Sequence, residues 1–293
     1  MATASQDQGR RKRRISGYGE GSTEVVLSVD AVAEEAARLA AEAPSPEHLL
    51  HLAGGEAFLA IEELHAGYGR MEILHGLNLM VGKGQSLCLI GPNGAGKSTV
   101  LHSVFGFTTI TGGVIRLGEK DITHLKPNEK LKDAGIAYIL QDNSVFPDMT
   151  VEENLWMGGW LLDDAAEVRA RAEEVFAKYP RLEKRRRQPA SVLSGGERRL
   201  LEIARALIMR PEVLLVDEPS IGLEPRFIDM VFDILDDLQR AEGKTIVMVE
   251  QNARKGLEFA DIGYVLVSGQ LVKAASGDEL LDDPDVGRLF LGG

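Results

Sequence analysis

The chain of 293 residues is 44% apolar and 27% charged, which supports a folded domain with a full core and excludes an intrinsically disordered chain. Its 45 acidic and 33 basic side chains give a formal net charge of −12, which argues against nucleic acid as a partner. The single cysteine, Cys88, cannot form an intramolecular disulfide, and no apolar run is long enough for a spanning helix. We therefore expect a cytosolic protein that neither spans a membrane nor is secreted.

Residues 1–56 differ from the rest and are predicted to form an N-terminal extension that is partly disordered. It opens with a basic cluster at residues 10–14, which is interpreted as a solvated tail in preference to a lipid or nucleic-acid contact. Apolar residues recur at helical spacing between Val29 and Ala40, so a marginal amphipathic helix is predicted there. The Pro44-Ser45-Pro46 break separates this helix from the main domain, which is predicted to cover 57–293.

Short β-rich runs alternate with helical stretches from Phe58 onward, a pattern that predicts an α/β fold with a largely parallel sheet. The predicted strands are Phe58–Leu64, Ile73–Val81, Ser86–Ile90, Val114–Leu117, Ile136–Leu140, Val213–Val216, Thr245–Val249 and Tyr264–Val267. Strand signals vanish over about 142–192, which predicts an inserted helical subdomain. Asp163 is its candidate N-cap, and Glu167 and Arg171 are spaced as a helical ion pair.

A glycine-rich segment follows the strand Ser86–Ile90 and precedes a helical stretch, which is the context that a Walker A phosphate loop requires. Glycines allow successive backbone N–H groups to surround phosphate oxygens, and the following helix adds its positive end. Lys97 is expected to reach the β and γ phosphates, and Ser98 to ligate Mg²⁺. The predicted nucleotide-binding residues of the loop are Gly91, Pro92, Asn93, Gly94, Ala95, Gly96, Lys97, Ser98 and Thr99. The loop alone fits kinases, GTPases and motors equally.

Two acids end the apolar strand that starts at Val213, the Walker B pattern. Asp217 is expected to hold Mg²⁺, and Glu218 to position or polarise the attacking water. A solvated strand end is the alternative for this pair by itself, and the Walker A loop upstream argues against it.

The segment Leu193-Ser194-Gly195-Gly196-Glu197 opens a helical stretch and resembles the signature motif of ABC ATPases. Taken alone, Ser194 and Glu197 also form a capping box that needs no ligand. The resemblance covers nearly all of 57–293 and implies a P-loop NTPase of ABC ATPase type, with a mainly parallel sheet core, an antiparallel β subdomain and an inserted helical subdomain. It also implies that Ser194, Gly195 and Gly196 contact the γ-phosphate of ATP on a second subunit.

Further residues match this family in order. The resemblance implies that Tyr68 stacks on adenine, and that Gln141 contacts Mg²⁺ and senses the membrane domain. The run Ser220–Pro225 resembles the D-loop at the dimer interface, although Glu224 replaces the Asp, Ala or Asn of most relatives.

The largest departure from the family is Gln251, which stands where many ABC ATPases have a histidine that contacts the γ-phosphate. Glutamine can hydrogen-bond a phosphate, but it cannot carry a positive charge, so this ATP site is expected to be weakened. The run Val249-Glu250-Gln251-Asn252, together with residues 145–159, resembles the ATPases of branched-chain amino acid importers.

The resemblance implies ATP and Mg²⁺ as cofactors and a place on the inner face of the cell membrane as a peripheral cytoplasmic subunit. The implied partners are membrane permease subunits, an ATPase partner that is a paralogue or a second copy, and indirectly an extracytoplasmic binding protein. A groove near Gln141–Trp160 is expected to receive the permease, with the possible apolar contacts Phe146, Met149, Leu155, Trp156 and Trp160. Core packing explains most of these five residues equally well.

Three alternatives stay open. The transported substrate is branched-chain or other hydrophobic amino acids by resemblance, with urea or amides as close alternatives. A soluble ABC ATPase of DNA repair or translation usually has tandem cassettes or a long coiled-coil insertion, and this chain shows neither. A regulatory subunit with little hydrolysis is suggested by Gln251 and opposed by Glu218.

Overall fold

The computed structural model of the chain describes residues 43–141 and 144–291. The basic cluster at residues 10–14 and the predicted helix between Val29 and Ala40 lie outside these ranges. Among the described residues, no helix is both long and apolar enough to cross a membrane.

A six-stranded sheet forms the centre of the domain. Its strands are β3 (Ser86–Ile90), β6 (Ile136–Ile139), β7 (Val213–Asp217), β8 (Thr245–Val249), β9 (Ile262–Val267) and β10 (Gln270–Ser276), in the order β10-β9-β3-β8-β7-β6. All neighbours pair in parallel except β10, which runs antiparallel to β9 at one edge. β3, β7 and β8 are buried throughout, as continuous apolar runs predict for parallel strands covered on both faces.

Helices cover both faces of this sheet, and alternate residues of each strand face opposite layers. Leu215 of β7 packs with Val100 and Leu101 of α2 (Lys97–Phe105) in one core cluster. Leu214 and Val216 pack in a second cluster with α7 (Gly195–Leu207), α8 (Pro225–Arg240) and α9 (Ala253–Phe259). Asp217 shares the face of Leu215, because side chains two apart on a strand point the same way. The sheet therefore directs this acid toward the N-terminus of α2.

A second, antiparallel sheet packs on the α2 side. It contains β1 (Leu59–Tyr68), β2 (Met71–Val81), β4 (Thr109–Leu117) and β5 (Lys120–Asp121), in the order β2-β1-β4-β5. α3 (Pro127–Lys132) leads from this sheet back to β6. The predicted antiparallel β subdomain is thus confirmed, although β1 and β4 are longer than their apolar runs suggested and β10 was not predicted.

The helical insertion has a core of its own. It contains α4 (Val151–Gly158), α5 (Ala165–Lys178), α6 (Pro180–Glu183) and a 3₁₀ turn at Ala190–Val192, and it packs on α7. The N-cap of α5 is Asp164 and not Asp163, since the Asp164 carboxylate accepts from the backbone N–H of Ala166. The predicted ion pair between Glu167 and Arg171 is present.

Three short helices close the ends of the molecule. They are α1 (Pro46–Leu52), α10 (Gly277–Asp282) and α11 (Pro284–Phe290). α1 lies against β2 and β10 and buries Leu49 completely, while the His48 ring nitrogen Nε2 lies 2.9 Å from the Ala274 carbonyl oxygen. The described end of the predicted extension is therefore structured and packs on the main domain. The domain boundary at residue 57 stays a prediction.

Candidate functional site

The predicted phosphate loop connects the end of β3 to the start of α2. Gly91 begins it at a φ of 147°, and a Cβ at this position would lie 2.1 Å from the Leu266 carbonyl oxygen, so only glycine fits. Gly96, at a φ of 97°, is the N-cap residue of α2. Ala95 and Thr99 are buried, while Asn93 and Gly94 are exposed at the tip. The loop thus presents backbone N–H groups and a helix N-terminus to one point.

The Lys97 side chain lies under the loop and is 6% exposed. Its ammonium donates to the carbonyl oxygens of Gly91 at 2.8 Å and Pro92 at 3.0 Å. Burial lowers the pKa of Lys97, and the nearby carboxylates of Glu218 and Asp217 oppose that shift. The loop therefore already holds a positively charged ammonium group, which can neutralise phosphate oxygens.

The Asp217 carboxylate divides its two oxygens between two hydroxyl groups. Ser98 Oγ donates to Oδ1 at 3.1 Å, and the Tyr138 hydroxyl donates to Oδ2 at 2.8 Å. Burial, with a further contribution from the Asp217 carboxylate, raises the pKa of Tyr138 well above its ordinary value, so its hydroxyl keeps its proton and remains a donor. The predicted metal residues Ser98 and Asp217 are therefore in direct contact.

Glu218 and Gln141 face each other at the exposed side of this cluster. Gln141 Nε2 donates to Glu218 Oε2 at 2.8 Å. Glu218 has a φ of 41°, in the left-handed region that disfavours side chains, while its backbone N–H donates to Val249 of β8 at 2.9 Å. The strand pairing thus holds the carboxylate at a sharp turn directly after β7, and local strain of this kind is common at functional sites.

Arg199 of α7 lies beneath the two strand ends and is almost completely buried. Its guanidinium donates to the carbonyl oxygen of Leu140 at 2.7 Å, to that of Asp217 at 3.2 Å, and to the Glu202 carboxylate at 2.8 Å. One buried guanidinium therefore links the carbonyl group of Leu140, which precedes Gln141, to that of Asp217, which precedes Glu218.

The D-loop segment is anchored by Glu250, which is also buried. Ser220 Oγ and the backbone N–H of Asn252 donate to Glu250 Oε1, at 2.7 Å and 2.8 Å. Gln251 lies between Glu250 and Asn252, two residues after the end of β8, and is exposed. Its backbone carbonyl accepts from the N–H of Ala253 at 3.0 Å.

Tyr68 ends β1 and is 44% exposed. Its hydroxyl is hydrogen-bonded to Nδ1 of His102 on α2. The phenol ring thus stands beside the phosphate-loop helix with a surface open to solvent, as a residue that stacks on a base requires.

The signature segment does not join this cluster. Ser194 is the N-cap of α7 and forms a capping box with Glu197, in which the Glu197 backbone N–H donates to Ser194 Oγ at 3.3 Å. Gly195 is exposed, whereas a Cβ on Gly196 would lie 2.1 Å from the Phe227 ring. The structure thus brings together the two Walker segments and Gln141, and it leaves Ser194 and Gly195 exposed.

A cleft of about 330 Å³ lies between the helical insertion and the sheet. Phe146 and Met157 line it from the insertion, opposite Tyr138 of β6 and Arg205 of α7. Of the five residues expected in the permease groove, Phe146 lies here, while Leu155 is fully buried in the core of the insertion and cannot be a surface contact. Trp160 is exposed, Met149 is half-buried, and Trp156 packs against that core.

A nucleotide and a divalent cation fit the arrangement around α2. Ser98 and Asp217 offer the oxygen donors that Mg²⁺ prefers. Within 43–141 and 144–291, no group of three or more His, Cys, Asp or Glu side chains could hold a metal by itself. The parallel sheet and the loop between β3 and α2 define the class, a P-loop nucleoside triphosphatase.

Comparison with known proteins narrows this class. The family model described as ABC transporter matches residues 74–221, half of the chain. The chain is 40% identical over 235 residues to the high-affinity branched-chain amino acid transport ATP-binding protein BraG of Pseudomonas aeruginosa, covering 80% of this chain and all of that protein. It is 38% identical to a probable LivF of Archaeoglobus fulgidus, over 78% of this chain and 97% of that one.

More distant relatives and solved structures indicate the same family. The lipopolysaccharide export system ATP-binding protein LptB of Escherichia coli is 33% identical over 80% of this chain and 98% of that protein. A crystal structure of a nucleotide-free ATP-binding cassette from an ABC transporter superposes with a TM-score of 0.72 at 29% identity, covering 81% of this chain and all of that one. The chain belongs to the ABC transporter ATPase family. It is an ATP hydrolase that energises a transporter, and the resemblance stated from the sequence is confirmed.

Four residues around the site were not identified from the sequence. They are His102, Tyr138, Arg199 and Glu250. The first three contact a predicted site residue or its backbone, and Glu250 contacts Ser220 of the predicted D-loop. Tyr138 was detectable in principle, since β6 and β7 pair in parallel with Tyr138 opposite Leu215, on the face of Asp217. The other three depend on contacts between elements distant in sequence, which local patterns do not encode.

Proposed function

We propose that this chain is the ATP-hydrolysing subunit of an importer for branched-chain or other hydrophobic amino acids. The hydrolytic part rests on one cluster of side chains. In it, Lys97, the Ser98–Asp217 pair and the Gln141–Glu218 pair meet at the carboxyl ends of the parallel strands. The amino-acid part is supported by the printed functions of the two relatives at 40% and 38% identity. The relatives named for lipopolysaccharide export are more distant.

This proposal gives each side chain of the cluster a defined role. Lys97 neutralises β and γ phosphate charge, and Ser98, Asp217 and Gln141 supply oxygen ligands to Mg²⁺, which would withdraw charge from the phosphates. Glu218 orients the attacking water and accepts its proton, and its hydrogen bond to Gln141 holds the carboxylate in place for this task. Tyr68 stacks on the adenine, with its exposed ring already positioned by the hydrogen bond to His102.

In this proposal the γ-phosphate receives its remaining contacts from the signature segment of a second subunit. Ser194 and Gly195 are exposed at the N-terminus of α7, a position suited to an anion. Two ATPase subunits facing each other would complete both sites, with Ser194, Gly195 and Gly196 of one acting on the nucleotide of the other. A paralogue that has histidine at the position of Gln251 fits this assembly, as does a second copy.

The permease partner would dock in the cleft beside the helical insertion. This cleft is bordered by Tyr138, one residue from the strand end that leads to Gln141, so an inserted permease segment would lie close to the metal and water ligands. Docking there places the chain on the inner face of the cell membrane, although no described helix spans one. The external binding protein acts through the permease.

The test is Glu218→Gln in the complex assembled with permease and partner ATPase. We expect ATP turnover to fall by about 100-fold or more while ATP binding is unchanged, because the amide cannot accept the water's proton. The matched control is Glu212→Gln, at the opposite end of β7, where the carboxylate pairs with Lys83 on the surface. Unchanged turnover in Glu218→Gln would favour a regulatory subunit with little hydrolysis, the alternative that Gln251 suggests.

The substrate class is tested separately by transport. Vesicles containing the complete complex and its binding protein should accumulate labelled leucine, isoleucine or valine when ATP is supplied inside. Uptake of urea or short amides without uptake of these amino acids would replace the proposed substrate and leave the hydrolytic assignment intact.

A further inference from the structure

The Tyr138 hydroxyl occupies a defined place between β6 and the Asp217 carboxylate. Its oxygen lies 2.8 Å from Asp217 Oδ2, while Ser98 Oγ lies 3.1 Å from Oδ1 of the same carboxylate. Asp217 is only 3% exposed, so few water molecules could replace either hydroxyl. The orientation of the carboxylate plane is thus set by two protein donors on opposite sides.

The ring that carries this hydroxyl is itself fixed. Tyr138 packs against His102 with ring centres 5.7 Å apart, against Phe105 at 5.5 Å and against Phe107 at 6.0 Å. These contacts need only an aromatic ring, and phenylalanine would make them equally well. The hydroxyl group is therefore not needed for the packing of the ring. Its partner is the Asp217 carboxylate.

We propose that Tyr138 is a positioning residue for the divalent metal, acting through Asp217. This inference rests on the proposed function, in which Ser98 and Asp217 bind Mg²⁺. By holding Oδ2, the Tyr138 hydroxyl keeps Oδ1 directed at Ser98, so that the two ligand oxygens share one side of the carboxylate. Mg²⁺ demands near-ideal octahedral geometry, so a carboxylate free to rotate is a poorer ligand. Hydrogen bonds to ligands typically change metal affinity by about 10–100-fold.

The chain offers a matched control for loss of a buried tyrosine hydroxyl. Tyr264 of β9 is fully buried, and its hydroxyl exchanges hydrogen bonds with the backbone of Met80, at 3.1 Å to the carbonyl and 3.2 Å from the N–H. Tyr264→Phe therefore costs stability in the same way as Tyr138→Phe, without touching Asp217 or Ser98.

The experiment measures the affinity of the full-length protein for a fluorescent ATP analogue, first with excess Mg²⁺ and then with EDTA. We expect Tyr138→Phe to reduce the ratio of the two affinities by about 10-fold or more, with the affinity in EDTA unchanged. Tyr264→Phe should keep the wild-type ratio. Electron paramagnetic resonance of Mn²⁺ with the same analogue provides a readout that does not involve turnover, and its spectrum should broaden toward that of a less ordered site in Tyr138→Phe.

A wild-type ratio in folded Tyr138→Phe would overturn this inference and leave the proposed function standing. A ratio of one in the wild-type protein would instead remove the metal assignment, and this inference with it. If Tyr138→Phe does not fold, fluorotyrosine incorporated at position 138 alone keeps the hydroxyl and reports by ¹⁹F resonance. Its signal should broaden when Mn²⁺ and the analogue bind, and an unaffected signal would also overturn the inference.

Discussion

The hydroxyl of Ser220 donates to the buried Glu250 carboxylate at 2.7 Å, which ties the D-loop to the end of β8. The backbone N–H of Ser220 also donates to the second carboxylate oxygen, at 3.3 Å. The backbone N–H of Asn252 donates to the same carboxylate. Glu250 therefore connects the segment that contains Gln251 to the segment that follows Glu218.

Burial raises the pKa of Glu250, and this predicts a pH-dependent contribution to stability. As the pH falls toward the pKa in the folded state, the folded protein takes up a proton at Glu250 before the unfolded chain does, so acidification adds stability. The gain is absent above the folded pKa and complete below the ordinary value of 4.5. Glu250→Gln cannot titrate and loses one acceptor, which costs about 1 kcal/mol at pH 7. The stability advantage of the wild type over Glu250→Gln should therefore widen in denaturant titrations at lower pH, and a constant difference would contradict this account.

Removing the buried guanidinium of Arg199 should destabilise the protein strongly. Arg199→Ala leaves the Glu202 carboxylate buried without its ion-pair partner, and such changes typically cost about 3–5 kcal/mol. Arg210→Ala is the control, because its pair with Glu174 is exposed and should contribute less than about 1 kcal/mol. Urea unfolding of both variants tests this prediction. Equal losses of unfolding free energy would show that the buried pair stabilises the protein no more than the exposed one.

Two glycines of the phosphate loop should respond differently to the same substitution. At Gly91 a Cβ would overlap the Leu266 carbonyl oxygen, whereas at Gly94, with a φ of 80°, it would meet open space. Gly94→Ala should cost about 1–2 kcal/mol of backbone strain. Gly91→Ala must also displace the loop, so both stability and affinity for the ATP analogue should fall further. Similar affinities in the two variants would argue against the close approach to β9.

Helix α1 should stabilise the domain without taking part in nucleotide binding. Leu49→Ala removes a fully buried side chain and should cost about 2–4 kcal/mol in unfolding free energy. The neighbouring Leu50 is 38% exposed, so Leu50→Ala should cost much less. Both variants should bind the ATP analogue like the wild type, and deletion of residues 1–50 should likewise leave binding intact at a cost in stability. Loss of binding would show that α1 also helps to maintain the nucleotide-binding site.

Much of the fold could be predicted because the parallel strands are continuous apolar runs. Ser86–Ile90 and Thr245–Val249 were located with their observed bounds, since strands buried on both faces read as short continuous apolar runs. The antiparallel edge was harder to predict. β10 carries Gln270 and Lys273 on a half-buried strand, and its pairing with β9 depends on a hairpin rather than on hydrophobicity.

The grouping of the candidate site residues was predictable where motifs follow strands directly. Lys97, Ser98 and Asp217 follow β3 or end β7, and the parallel order of the sheet brings them together. Their supporting residues were not predictable in this way. Arg199 reaches Leu140 and Asp217 from a helix distant in sequence, and a buried ion pair has the same local pattern as an exposed one.

Arg199 connects α7 to the two segments that lead to Gln141 and Glu218. The same helix begins at the exposed Ser194 and carries, one turn later, the guanidinium that grips the carbonyl groups ahead of both Gln141 and Glu218. In the proposed two-subunit assembly, a shift of α7 on contact with the opposing subunit would therefore reach Gln141 and Glu218 through these hydrogen bonds. Hydrolysis would then depend on contact between the subunits, because one helix connects the two regions.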